Sequence, residues 1–227
     1  MFSRYAVYFT CLPGPLADFG ASWLGWDAVQ GAPCTHLQIP ELPIPIERIT
    51  KTPRKYGFHG TIKPPFRLAQ GTTADDLSKA LAAFCATRPS VELDALAVTR
   101  LGHFLALTPQ GDASALCDLA GATVRELDQF RAALTKDELT RRRKSNLTKR
   151  QDDLLRAWGY PYVMEDFRFH MTLSGRLDQD VSAAVLSILQ TRLDPILPAP
   201  FQIDALTLCG EDSEGRFHEV HRYALSA

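Results

Sequence analysis

The feature that most narrows what this 227-residue chain can fold into is a four-residue pattern that occurs twice, Phe58-His59-Gly60-Thr61 and Phe169-His170-Met171-Thr172. The two histidines are 170 − 59 = 111 residues apart. Both copies lie in stretches that alternate with a period of two. In the second, Phe167, Phe169, Met171 and Leu173 form an apolar row, and Arg168, His170, Thr172 and Ser174 a polar one. In the first, Phe58 and Ile62 take one side and His59, Thr61 and Lys63 the other. Successive side chains of a β-strand point to opposite faces, so each apolar row can sit on a core while the polar row lines an open surface or cleft. The pattern predicts two strands, each presenting a His and a Thr side by side.

The surroundings repeat too. After the first copy, Thr73 with Asp76 three residues on opens a predicted helix striped by Leu77, Leu81 and Phe84. Strands over 91–100 and 104–108, turned around Gly102, follow it. After the second copy, Asp178 caps a predicted helix striped by Val181, Val185, Ile188 and Leu189, and strands over 201–209 and 216–223 follow, joined by a turn over 210–215. The order His-strand, helix, strand, strand therefore occurs twice, over about 57–108 and 168–225. It predicts an α+β fold of two similar antiparallel-sheet lobes with helices outside, each lobe bringing one His-Thr pair to a shared central cleft. No linker separates the halves, so residues 1–227 are read as a single bilobal domain.

Elsewhere, Arg4–Cys11 reads as a strand and 16–26 as a short helix. The prolines at 33, 40, 43, 45 and 53 predict an extended loop that could cover the cleft. A helix is predicted over 114–134, and Thr148 with Gln151 forms a capping box opening another that Gly159 closes. Between them the run Leu139-Thr140-Arg141-Arg142-Arg143-Lys144 is either a solvated helix face or connector or a phosphate-attracting rim.

A net charge of −1 argues against a broad electrostatic footprint for nucleic acid or membrane. The apolar run Tyr5–Leu12 is cut off by Pro13-Gly14-Pro15 before it could serve as a signal-peptide core or a span, which leads to the expectation of a cytoplasmic protein. Five scattered cysteines without a CxxC pair indicate neither a disulfide framework nor a zinc knuckle.

The paired His-x-Thr motifs resemble those of the 2H phosphoesterase superfamily. More closely, Tyr56-Gly57-Phe58-His59-Gly60-Thr61-Ile62-Lys63-Pro64-Pro65-Phe66-Arg67-Leu68, Trp158-Gly159-Tyr160-Pro161-Tyr162 and Phe167–Leu173 resemble the DUF1045 branch, whose members are called phosphonate metabolism proteins. The similarity extends over nearly the whole chain, including Gly20-Ala21-Ser22-Trp23-Leu24-Gly25. It implies a LigT-like bilobal fold and phosphodiester hydrolysis that needs neither metal nor cofactor.

The side chains themselves fit such chemistry. Opening a phosphodiester requires a base for the attacking oxygen, an acid for the departing one, and donors for the non-bridging oxygens. Two imidazoles titrating near neutrality can divide the first two tasks, and the hydroxyls of Thr61 and Thr172 can meet the phosphoryl oxygens. Which histidine is base and which acid does not follow from the sequence. Lys63 and Arg168, on the same predicted faces, could add positive charge, and Tyr8 and Tyr56 could stack on a base or sugar. Three readings stay open: a phosphodiesterase acting on a small cyclic phosphate of nucleotide or ribose origin, a non-catalytic module binding nucleotides or RNA ends, and a metal site in which His59 and His170 join His218 and His221 or a carboxylate.

Overall fold

The computed structural model describes residues 2–226. In chain order the regular elements are β1 (Arg4–Phe9), α1 (Pro15–Leu24), β2 (Trp26–Asp27), β3 (Ala32–Pro33), α2 (Ile46–Ile49), β4 (Gly60–Phe66), α3 (Ala74–Cys85), β5 (Val91–Leu93), β6 (Ala95–Leu101), β7 (Phe104–Gln110) and α4 (Ser114–Glu126). They continue with α5 (Lys136–Arg143), α6 (Lys149–Trp158), β8 (Met171–Thr172), α7 (Gln179–Leu193), β9 (Phe201–Ile203), β10 (Ala205–Glu211) and β11 (Phe217–Ala224). The fold is α+β, and its large sheet is antiparallel throughout.

The repeated order is present as β4-α3-β5-β6-β7 and β8-α7-β9-β10-β11. Its assembly is crossed. In the seven-stranded sheet, ordered β11-β10-β1-β4-β8-β7-β6, the first His-strand lies on the side of the second repeat's hairpin, with β1 between, and the second His-strand pairs with the first repeat's hairpin. The helices follow the same exchange: α3 packs against β10 and β11, and α7 against β6 and β7. The two expected lobes are thus halves of one continuous sheet, joined where Gly60 pairs with Met171.

Local chemistry accounts for most elements. Thr73, Thr135 and Thr148 each cap a helix in a reciprocal capping box with Asp76, Glu138 and Gln151. One face of the sheet carries the main core, with Val7, Phe9, Ile62, Phe169, Met171 and Leu173 packed against the helices. On the other face Ala6, Tyr8, Cys209 and Phe217 form a small separate cluster.

Several predicted boundaries shift. The strand over 91–100 divides at Asp94, so that β5 leaves the large sheet to pair with β9. The helix predicted to 134 ends at Glu126, followed by a 3-10 turn at Asp128–Phe130. The proline-rich segment is interrupted by the single turn α2, entered from Pro45, whose missing N–H costs nothing there. Strand β4 runs through Pro64 and Pro65 instead of stopping before them. Along this stretch it pairs with β1, while its pairing with β8 is confined to Gly60, so a proline N–H lost on that side leaves no ladder bond unmade.

Candidate functional site

Pairing of Gly60 with Met171 fixes the site geometry, because extending that antiparallel register by one residue each way sets His59 opposite Thr172 and Thr61 opposite His170. All four side chains then emerge on one face, each imidazole beside the other strand's hydroxyl. His59 and His170 are diagonal neighbours, a relation that separates backbones by about 7–8 Å. His59, Thr61, His170 and Thr172 are all half-buried, and the sheet face they share, bordered by Tyr56 and Phe104, is the groove.

The two imidazoles are held by the same device. His59 Nδ1 lies 3.1 Å from the Gly57 carbonyl and His170 Nδ1 lies 2.8 Å from the Arg168 carbonyl, in each case two residues upstream. A carbonyl only accepts, so each Nδ1 carries the hydrogen and each Nε2 is left for the groove. Gly57 can aim its carbonyl this way because its φ of 71° lies in the left-handed region that glycine enters freely. Gly60, between His59 and Thr61, lies under the Phe169 ring: a Cβ built there would be 2.3 Å from a ring carbon. The small residue inside the first motif is thus required by the aromatic that opens the second.

His59 Nε2 accepts a hydrogen bond from the Thr61 hydroxyl at 3.1 Å. Its ring stacks on Tyr8 at 3.7 Å and meets Tyr56 edge-on at 6.2 Å. Burial pushes its pKa down to about 4, opposed by the hydrogen bond to Gly57 and reinforced by the neighbouring charge of His170. His59 is therefore a neutral imidazole at pH 7, with Nε2 as an acceptor. His170 is flanked by Phe104 at 5.7 Å.

The other sequence candidates divide. Tyr56 borders the groove with its ring partly exposed. Arg168 is exposed, two residues before His170. Tyr8 adjoins His59 but is buried beneath it, so it supports the imidazole and offers no free face for a base or sugar. Lys63 is corrected outright. The register between β1 and β4 slips after Thr61, placing Lys63 opposite Val7, which faces the main core. Its ammonium donates to the Val124 carbonyl at 3.0 Å near the C-terminal end of α4, and lies 3.7 Å from Asp128. There it complements the helix dipole, and burial lowers its pKa to about 8. Ser174, last of the polar row, is buried and accepts from the Leu105 N–H at 2.9 Å. His218 Nε2 donates to the Asp212 carboxylate at 2.7 Å, with its ring packed against Trp26 and Phe2 and not against either motif histidine.

Sequence reading missed Phe104, which borders His170, and Phe217, which borders Tyr56 and Tyr8. Strand alternation gave no signal for them, because their proximity comes from the crossed sheet order. A cavity of about 450 Å³ lined by Phe9, Leu12, Pro15, Leu197 and Phe201 lies behind β1, away from the imidazoles.

A family model described as "Protein of unknown function (DUF1045)" matches residues 61–218. Two curated relatives carry the name ribose 1,5-bisphosphate phosphokinase PhnN. The protein from Janthinobacterium sp. (strain Marseille) is 40% identical over 219 residues, covering 94% of this chain and 48% of that protein. The protein from Laribacter hongkongensis (strain HLHK9) is 32% identical over 215 residues, covering 93% and 49%. This chain spans about half the length of the curated relatives it matches. Among solved structures, E. coli LigT in its apo form aligns over 100% of this chain and 99% of its own, with a TM-score of 0.45 and 14% identity. LigT complexed with 3′-AMP aligns over 100% of both chains with a TM-score of 0.44 and 13% identity. By the family match across 61–218, the chain belongs to the DUF1045 family.

Proposed function

We propose that this protein is a metal-independent phosphodiesterase that hydrolyses a small cyclic phosphate ester, using His59 and His170 as base and acid. The observation supporting this reading is the pairing of Gly60 with Met171, whose register makes the two imidazoles diagonal neighbours with a threonine opposite each. The asymmetry of the two rings supports an assignment of roles. His59, neutral at pH 7 with an accepting Nε2, is the base, and His170 the acid.

On substrate binding, the Thr61 hydroxyl turns from His59 to a non-bridging oxygen, freeing Nε2 for the attacking water. Thr172 donates to the opposite non-bridging oxygen. As water oxygen bonds to phosphorus, His59 takes its proton; as the ring ester bond breaks, His170 Nε2–H protonates the leaving alkoxide. The product is a phosphomonoester, and each imidazole returns to its starting protonation state by exchange with solvent.

The relatives' name refers to a bisphosphorylated ribose, which favours a ribose-derived cyclic ester as substrate. We assign the kinase activity in that name to the other half of those proteins, because this chain has no G-x-x-x-x-G-K-S/T run to cradle a nucleotide triphosphate. The test is a screen of cyclic phosphodiesters against the wild type and the His59→Ala protein. Turnover by wild type alone is expected; equal turnover by both ends the proposal.

A further inference from the structure

Helix α5 lies against β1 and β4, where Arg141 and Arg142 line a small pocket together with Arg4. The basic run it carries is not a uniformly solvated face, because Arg142 folds inward while its neighbours Arg141 and Arg143 stay exposed. The Arg142 guanidinium lies 4.9 Å over the Tyr160 ring. Its Nε is buried and has no hydrogen-bond partner. The charges acting on it include two more guanidiniums, Arg4 and Arg141, and one carboxylate, Glu138. Glu138 is already committed: it holds Arg67 at 2.9 Å and closes the capping box of α5. Arg4 is likewise satisfied, by Glu211 at 2.5 Å. Arg142 is thus a half-buried cation next to other cations, with no carboxylate bonded to it, an arrangement that an anion would relieve.

Its location relates it to the imidazoles. Arg4 lies on the same face of β1 as Tyr8, four residues along, which is roughly 13 Å at strand spacing. Tyr56 spans the interval: its ring is 6.2 Å from that of His59, and it is close enough to Arg4 and Tyr160 to shift the titration of both.

We infer that this end of the groove, formed by Arg142, Arg4 and Tyr160, is a second anion subsite that takes a phosphomonoester carried by the same substrate whose cyclic diester lies between His59 and His170. The inference rests on the phosphodiesterase reading for the identity of the first site, and narrows the substrate to a cyclic phosphate bearing a separate terminal phosphate. Arg142 supplies a guanidinium whose planar fork matches a phosphate's oxygens, held in place by Tyr160. A terminal phosphate seated there orients the diester toward His59 without taking part in its opening.

The decisive comparison is between adenosine 2′,3′-cyclic phosphate and its 5′-phosphorylated counterpart. Wild type is expected to favour the phosphorylated ester by about tenfold or more in kcat/KM, through KM, as a charge-assisted contact implies. Arg142→Ala should bring that preference close to one, while Lys144→Ala, in the same basic run, should leave it intact. Equal kcat/KM for the two esters in wild type, or a preference surviving in Arg142→Ala, overturns the inference. A second measurement separates its failure from that of the parent reading: calorimetric binding of ribose 5-phosphate, which has no diester. Binding by wild type and His59→Ala alike, weakened about tenfold in Arg142→Ala, supports the subsite even if no cyclic ester is turned over. Undetectable binding, or equal binding by wild type and Arg142→Ala, overturns it.

Discussion

Acidification should cost this protein stability through one imidazole, by an amount that follows from where His59 sits. In the folded chain its pKa lies at about 4, held down first by burial, against about 6.5 in the unfolded chain. A histidine depressed in this way contributes stability that is fully present above the unfolded value and is lost as pH falls toward the folded one. Between those limits the unfolded state binds a proton that the folded state refuses. Integrating that difference from pH 7 to about pH 4.5 gives ~2.4 kcal/mol for a fully enclosed group, and solvent access to a half-buried ring reduces it to ~2 kcal/mol. Urea unfolding of wild type and His59→Asn at both pH values isolates the contribution from that of other titrating groups. Wild type should lose ~2 kcal/mol more than the variant on acidification. Equal losses, or ¹⁵N resonances of His59 titrating near the unperturbed value, would refute the argument that burial keeps this ring neutral. The same depressed value puts the acidic limb of kcat/KM near pH 4, well below where an ordinary histidine base would fail.

Replacing either His59 or His170 by Ala should lower turnover by about 10²–10⁴-fold while circular dichroism is unchanged, and a variant that keeps wild-type kcat removes that ring from the mechanism. Gly60→Ala should destabilise by about 1–3 kcal/mol, because its Cβ meets the Phe169 ring; a melting temperature within a degree of wild type would show that the ring moves aside freely. Lys63→Met should change stability by less than about 1.5 kcal/mol, since Asp128 keeps Arg131 at 2.7 Å, and should leave kcat/KM unaltered, whereas a tenfold fall would restore Lys63 to the site. Treatment with a chelator should leave hydrolysis of a cyclic phosphate undiminished, and activity regained only on adding a divalent cation would contradict the mechanism.

Alternation around Phe58-His59 and Phe169-His170 made the face carrying four polar side chains legible in the sequence, and the repeated element order foretold the helices α3 and α7. The strands themselves were less so. Strand β8 is only two residues long because a 3-10 turn at Met164–Asp166 precedes it and both Leu173 and Ser174 donate to the Leu105 carbonyl after it. Strict period-two reading failed at Lys63 because a slip in pairing is a property of two strands at once, and Pro64-Pro65 was its one local trace. Arg142 and Tyr160 could be noted as a basic run and an aromatic motif. Their meeting beside Arg4 depends on how α5 returns over the sheet, which no local spacing encodes.

The crossed strand order has a bearing on how the groove can arise. The second histidine-bearing strand, β8, finds both its sheet neighbours, β4 and β7, in the first half of the polypeptide, and β1 of that half pairs with β10 of the second, so a fragment ending after β7 would hold β1 without β10 and β11 on its far side, and β4 and β7 without β8 between them. Neither fragment could close its own ladder, and both would present bare edges until the other arrived. Two separately expressed pieces, divided near Asn146, should therefore reconstitute the groove only when mixed.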